Sequence, residues 1–203
     1  MPLVDHTDII TSAEDYVRRI FEEKIPSDIY TYHNWVHTCQ VRDEAILLAR
    51  QAGLKAEELE MLNLAAIFHD AGFSETYTGH EDAGVKIAHQ FLTSVSYPGD
   101  KIRIIENLIQ ATKVDVKPRT LLESLLKDAD TSSIGRSHFQ IYTNSLRKEL
   151  NAVQNALLSK RDWAMANLQF LDEHEYYSDV ARERYAQTKE VNKKLLLNEL
   201  ALI

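Results

Sequence analysis

The chain has 203 residues, 44% of them apolar, and a formal net charge of −8, enough apolar material for one substantial core. Cationic and anionic residues alternate without a basic cluster, which argues against a long nucleic acid as partner. A small phosphorylated molecule stays in play, because one metal ion and a few local cations can match its charge. The opening MPLVDHTDII lacks a basic stretch followed by an apolar run, and no segment reaches the roughly 20 apolar residues of a membrane helix, so a cytoplasmic protein without a membrane partner is expected.

Six Gly and four Pro are thinly spread, with no linker, low-complexity tract or repeat, so residues 1–203 read as a single domain. Helix-period patterns dominate and no stretch alternates strictly, which predicts an all-α bundle of about nine helices. The first opens at Ser12, with Asp15 three positions on as its capping partner, and runs to about Lys24 before Pro26. The second spans about residues 34 to 52 with Gly53 as terminator, and its stripe of His37, Val41, Ala45, Leu48 and Ala52 faces inward. Cys39, the only cysteine, has Trp35 and Ile46 as helical neighbours, which predicts a packed, inert thiol.

The third helix covers about residues 56 to 71, with an inward stripe of Leu59, Leu62, Ala66 and His69 and with Gly72 as its end. A fourth runs from about His80 to Val95. A fifth follows Pro98-Gly99-Asp100 with Ile102, Ile105, Leu108, Ile109 and Thr112 on one side. The sixth begins at a Thr120/Glu123 capping box and carries Leu122, Leu126 and Asp130 at four-residue steps, so Asp130 falls on its apolar face. Phe139, Tyr142, Leu146, Leu150 and Val153 mark a seventh, Trp163 to Leu171 lie on an eighth, and Ser178 opens a long ninth.

Ionisable residues on apolar stripes are the informative exceptions, because burying a charge costs several kcal/mol unless it is paired or bound to metal. Each of His37, His69, Asp70 and Asp130 is by itself as well explained as a hydrogen-bonded core residue. Together they offer two imidazoles and two carboxylates, a set that suits a first-row divalent ion with positions left for water. Adjacent His69 and Asp70 diverge by about 100° on a helix and can share an ion only where the last turn loosens. Asp128, two residues from Asp130, points to another side and reads as support for the ligands rather than a ligand.

The strings Tyr32-His33-Asn34-Trp35-Val36-His37, then Phe68-His69-Asp70-Ala71-Gly72-Phe73, then Asp128-Ala129-Asp130 resemble, in order and spacing, the H…HD…D signature of the HD superfamily of metal-dependent phosphohydrolases. The resemblance is closest to small bacterial predicted HD phosphohydrolases and covers about residues 30 to 150. It implies that His37, His69, Asp70 and Asp130 bind one divalent ion, Mn, Fe, Co, Ni or Mg, and that a metal-activated water hydrolyses a small phosphorylated substrate, a nucleotide for preference.

Gly79-His80-Glu81-Asp82-Ala83-Gly84 is similar to the H-E-x-x-S/G segment of HD-type nucleotide hydrolases. That resemblance implies that His80 sits beside the phosphate and protonates the leaving oxygen, with Asp70 orienting or deprotonating the water; a solvent-exposed helix-start His is the plain alternative. His33, one turn before His37, is a candidate phosphate contact, and Lys113 and Arg136 are candidate cations for phosphate oxygens. The tail around His174 either covers the cavity or merely packs. Two-metal relatives carry a further histidine where this chain reads Leu108-Ile109-Gln110-Ala111-Thr112-Lys113, so one ion is expected. A metal- and nucleotide-binding sensor without turnover, and a di-iron oxygenase, are the competing readings.

Overall fold

Nine α-helices and two 3-10 turns, with no strand, make up the described residues, 6–155 and 157–202, of the computed structural model. At the centre lies α3 (Ala56–Phe68), whose Leu62, Leu64, Ala65, Ala66, Ile67 and Phe68 are all fully buried. The helical period predicts a single inward stripe for α3. From Leu64 onward it is instead enclosed on all sides, because α1 (His6–Lys24), α2 (Trp35–Gln51) and α5 (Gly99–Ala111) pack around it, and a segment so surrounded is apolar all round.

The first helix begins at His6, well ahead of Ser12, which sits exposed on its surface. Buried Ile9 continues the stripe of Ala13, Val17 and Ile20 upstream, so the helix has a reason to start early, and Asp15 pairs with Arg18 at 2.7 Å rather than completing a cap. The next helix starts as expected, since the Asn34 side chain accepts from the backbone N–H groups of Val36 and His37. It ends at Gly53, whose φ of 76° is the left-handed conformation that glycine adopts without steric cost.

Gly72 plays a different part from the helix terminator expected. It stands outside the left-handed region, within the 3-10 turn Ala71–Ser74, where α4 (His80–Ser94) crosses the chain at backbone contact. A Cβ at Gly72 would lie 1.9 Å from the His80 carbonyl oxygen and 2.5 Å from Gly84 N. The missing side chain is what allows α4 to seat its first residue against the end of α3.

The remaining helices are α6 (Leu121–Asp130), α7 (Phe139–Gln154), α8 (Lys160–Glu173) and α9 (Asp179–Leu200), with a 3-10 turn, Ser132–Gly135, after α6. Thr120 caps α6 by accepting from Glu123 N at 3.2 Å. Asp128 does not back the other acids: its carboxylate accepts from Tyr177 N, Ser178 N and Ser178 Oγ at 2.6–2.8 Å and pins the start of α9. Among the described residues no helix is long and apolar enough to cross a membrane.

Candidate metal centre

His37 comes from the first turn of α2, His69 and Asp70 from the end of α3, and Asp130 from the last residue of α6. The loosened turn predicted after α3 is present: Asp70 has left helical geometry, with φ −103° and ψ 1°. That break lets adjacent residues converge. His37 Nε2 lies 3.5 Å from Asp70 Oδ2 and 3.3 Å from Asp130 Oδ1, and His69 Nε2 lies 3.2 and 3.6 Å from the same two oxygens.

His37, His69 and Asp70 are buried and offer ligand atoms within 4.8 Å of one another, a group that can hold a metal ion. His69 Nδ1 donates to Ala66 O at 2.8 Å, which orients the ring and turns Nε2 toward the acids. His69 Nε2 and Asp70 Oδ2 are both buried without a hydrogen-bond partner. Such atoms are costly unless something completes them, and two nitrogens with two carboxylates fit a divalent cation. Burial disfavours charge at His69, yet the Asp70 charge beside it holds the imidazole well above its usual value; burial likewise works against the Asp70 carboxylate, and His69 holds it well below.

His80 approaches the other side of Asp70, with Nε2 3.5 Å from Oδ1, while its Nδ1 donates to Tyr77 O at 3.2 Å. Burial lowers its pKa and the contact with Asp70 more than reverses this, so the imidazole is raised above its ordinary value. Buried Phe73 stacks on both His80, at 3.8 Å between ring centres, and His33, at 4.4 Å, and so sets the two imidazoles side by side.

His33 lies near the centre but has a partner of its own. Its Nδ1 is bonded to Glu149, and the other carboxylate oxygen of Glu149 accepts from the backbone N–H groups of Tyr32 and His33 at 2.8 and 2.9 Å. Tyr77 also donates its hydroxyl to Glu149, at 3.3 Å. Fully buried Glu149 thus holds in place the segment that leads into His37, and sequence reasoning missed it. The signal was available, since Glu149 stands three residues after Leu146 on α7, an acid on an apolar stripe like Asp130.

Glu149→Ala is expected to cost about 3–5 kcal/mol, because two backbone donors and an imidazole lose a buried acceptor. Burial raises the Glu149 carboxyl, but His33 and the backbone donors leave it below its ordinary value. Its contribution is therefore complete above about pH 4.3 and is lost as pH falls below that. Urea titrations at pH 7 and at lower pH should show the gap between wild type and Glu149→Gln closing on acidification. A gap independent of pH would refute the assignment.

The two candidate cations are engaged with acids. Lys113 Nζ pairs with Asp82 Oδ1 at 2.7 Å, and the Arg136 guanidinium is bonded to buried Glu44, which Arg184 and Tyr185 also contact. Arg136 nevertheless lines a small crevice together with His37 and Asp130. His174 packs behind Asp130: its Nε2 meets Thr131 Oγ1 at 3.0 Å, and burial together with the Lys189 charge pushes its pKa down to about 4. Burial pushes the half-buried Cys39 thiol up, in keeping with an inert side chain.

Fold and site together define an all-helical protein in which buried His37, His69 and Asp70 form a group able to hold a metal ion, with the partly exposed Asp130 against it. No family model and no curated protein matches the chain. Two solved structures do. The Lin1889 protein from Listeria innocua has 16% sequence identity and a TM-score of 0.67, over 98% of this chain and 99% of that one. A predicted HD superfamily hydrolase from an uncultured Thermotogales bacterium has 17% identity and a TM-score of 0.60, over 93% and 91%. At these identities the likeness is one of fold, and the fold is HD-like.

Proposed function

We propose that this protein is a metal-dependent phosphohydrolase of the HD superfamily that cleaves a phosphate ester or anhydride of a small molecule, with nucleotides the leading class. The observation that carries this reading is the pair of buried ligand atoms His69 Nε2 and Asp70 Oδ2, 3.2 Å apart and neither with a hydrogen-bond partner, facing His37 and Asp130. The likeness in fold to a predicted HD superfamily hydrolase supports it.

His37, His69, Asp70 and Asp130 would hold one ion of Mn, Fe, Co, Ni or Mg. When bound, a divalent ion supplies Lewis acidity and draws the pKa of a water from about 15.7 toward neutrality. Asp70 has one oxygen toward the two ligand imidazoles and the other toward His80, so it can orient a water on the substrate side. His80, with a raised pKa, can give a proton to the leaving oxygen. His33 lies beside it, with ring centres 6.2 Å apart, and can contact the phosphate.

The test is a panel of phosphomonoesters, phosphodiesters and nucleoside triphosphates, assayed with each of these metals after elemental analysis. About one metal per chain and turnover of one substrate class are expected. Tight binding without turnover under every metal would favour the sensor. Two ions per chain, with activity following the second, would favour two-metal or di-iron chemistry. Within the panel, His80→Ala should lower kcat by about 10²–10⁴-fold at unchanged metal content. Loss of metal in that variant would make His80 a ligand instead.

A further inference from the structure

We infer that the cavity beside the metal centre receives the alcohol part of the substrate and selects an apolar, ring-sized group over a polyhydroxylated sugar. This inference rests on the phosphohydrolase reading. The cavity has a volume of about 340 Å³ and is lined by Asp130 of the centre and by His33 and Tyr32 beside it, so a group entering it is continuous with one held at the His/Asp cluster. Its other walls come mainly from α7 and α8. Phe139 and Leu146 lie on one face of α7, and Trp163 and Phe170 lie on one face of α8, at helical spacings that bring each pair to the same side.

Three of the polar side chains in these walls are already committed, while buried Trp163 Nε1 has no hydrogen-bond partner and is left as a single donor to an occupant. Thr143 donates its hydroxyl to Asn167 Oδ1 at 2.6 Å, Asn167 Nδ2 donates to Trp163 O at 2.8 Å, and Thr131 donates to Lys127 O at 2.9 Å. Among the described residues no Lys or Arg lines the cavity. A sugar would bring several hydroxyls to walls with few free partners, and a buried hydroxyl without a partner weakens binding. The cavity has room for roughly eleven waters at about 30 Å³ each, and an apolar ring would displace several of them from a largely hydrocarbon surface, which favours binding.

The experiment compares methyl, benzyl and naphthylmethyl phosphates with a hexose 6-phosphate and a nucleoside 5′-monophosphate on the metal-loaded protein. All but the methyl ester are esters of larger primary alcohols, so the leaving groups are matched. Naphthylmethyl phosphate is expected to exceed the hexose phosphate in kcat/KM by about 100-fold, with benzyl between them and KM carrying the difference. The nucleoside monophosphate tells whether a nucleobase or a plain hydrocarbon ring is the better occupant, and either supports the inference if both exceed the hexose.

Leu146→Asn adds a polar group to the wall and Ala166→Phe reduces the space; each should lower the naphthylmethyl-to-methyl ratio of kcat/KM about tenfold. Equal kcat/KM for hexose and naphthylmethyl esters, or a ratio unmoved by both substitutions, overturns the inference. Calorimetry with naphthylmethylphosphonate and methylphosphonate, which cannot be hydrolysed, separates the two readings. Preference for the naphthyl compound by tenfold or more without turnover of any ester sustains the cavity and sinks the phosphohydrolase, whereas turnover with equal binding of the two phosphonates sinks the cavity alone.

Discussion

Asp130→Ala and His69→Ala are expected to abolish hydrolysis and to lower bound metal together, by at least about 100-fold in affinity, while the protein still folds. Each variant removes one of the four proposed ligands from a site that water cannot refill in kind. Survival of the fold follows from the surroundings. Without an ion, Asp70 and Asp130 are two neighbouring acids facing the same two imidazoles, so deleting Asp130 relieves charge crowding as well as removing a contact. His69 makes one hydrogen bond outside the cluster, to Ala66 O. Elemental analysis and circular dichroism of each variant, beside the assay, check this. Full metal occupancy and full activity in Asp130→Ala would remove Asp130 from the coordination sphere.

Gly72→Ala is expected to damage stability and activity at once, for a reason that lies in backbone packing. The new methyl would sit 1.9 Å from the His80 carbonyl oxygen, 2.5 Å from Gly84 N and 2.8 Å from the His80 carbonyl carbon. All three are backbone atoms, so no rotamer change relieves the overlap and α4 must move away from the end of α3. A destabilisation of about 3 kcal/mol is expected from such overpacking. Because His80 is the first residue of the displaced helix, kcat should fall with it. Denaturant midpoints and kcat measured on the same preparation decide the matter, and a variant equal to wild type in both would show that the close crossing is absent in solution.

Much of the architecture was legible because helix period, Asn and Thr caps and the Gly53 terminator act locally. Thr120 caps its helix as its side chain suggested, and the helices expected to open at about residue 34 and at Ser178 begin within a residue of those positions. The His37, His69, Asp70 and Asp130 group was legible because ionisable residues on apolar stripes contradict their surroundings. Where the reading failed, the cause was long-range. Ser12 looked like a cap until the buried Ile9 extended α1 past it, and Asp128 looked like support for a neighbour until its oxygens were found on the start of α9. The pairing of Lys113 with Asp82 and of Arg136 with Glu44, partners distant along the chain, is likewise invisible to a local pattern.

The sequence by itself determined the helical class, the approximate element boundaries and the identity of the four candidate ligands, because each of these follows from periodicity and from the cost of burying polar groups. Only the tertiary structure decided which oxygen of Asp70 faces the imidazoles and which faces His80, that Glu149 holds the segment before His37, and that an apolar cavity opens beside the centre. Those features depend on distances between helices far apart in the chain. A one-dimensional pattern specifies which face of a helix is buried but carries no information on what meets it there.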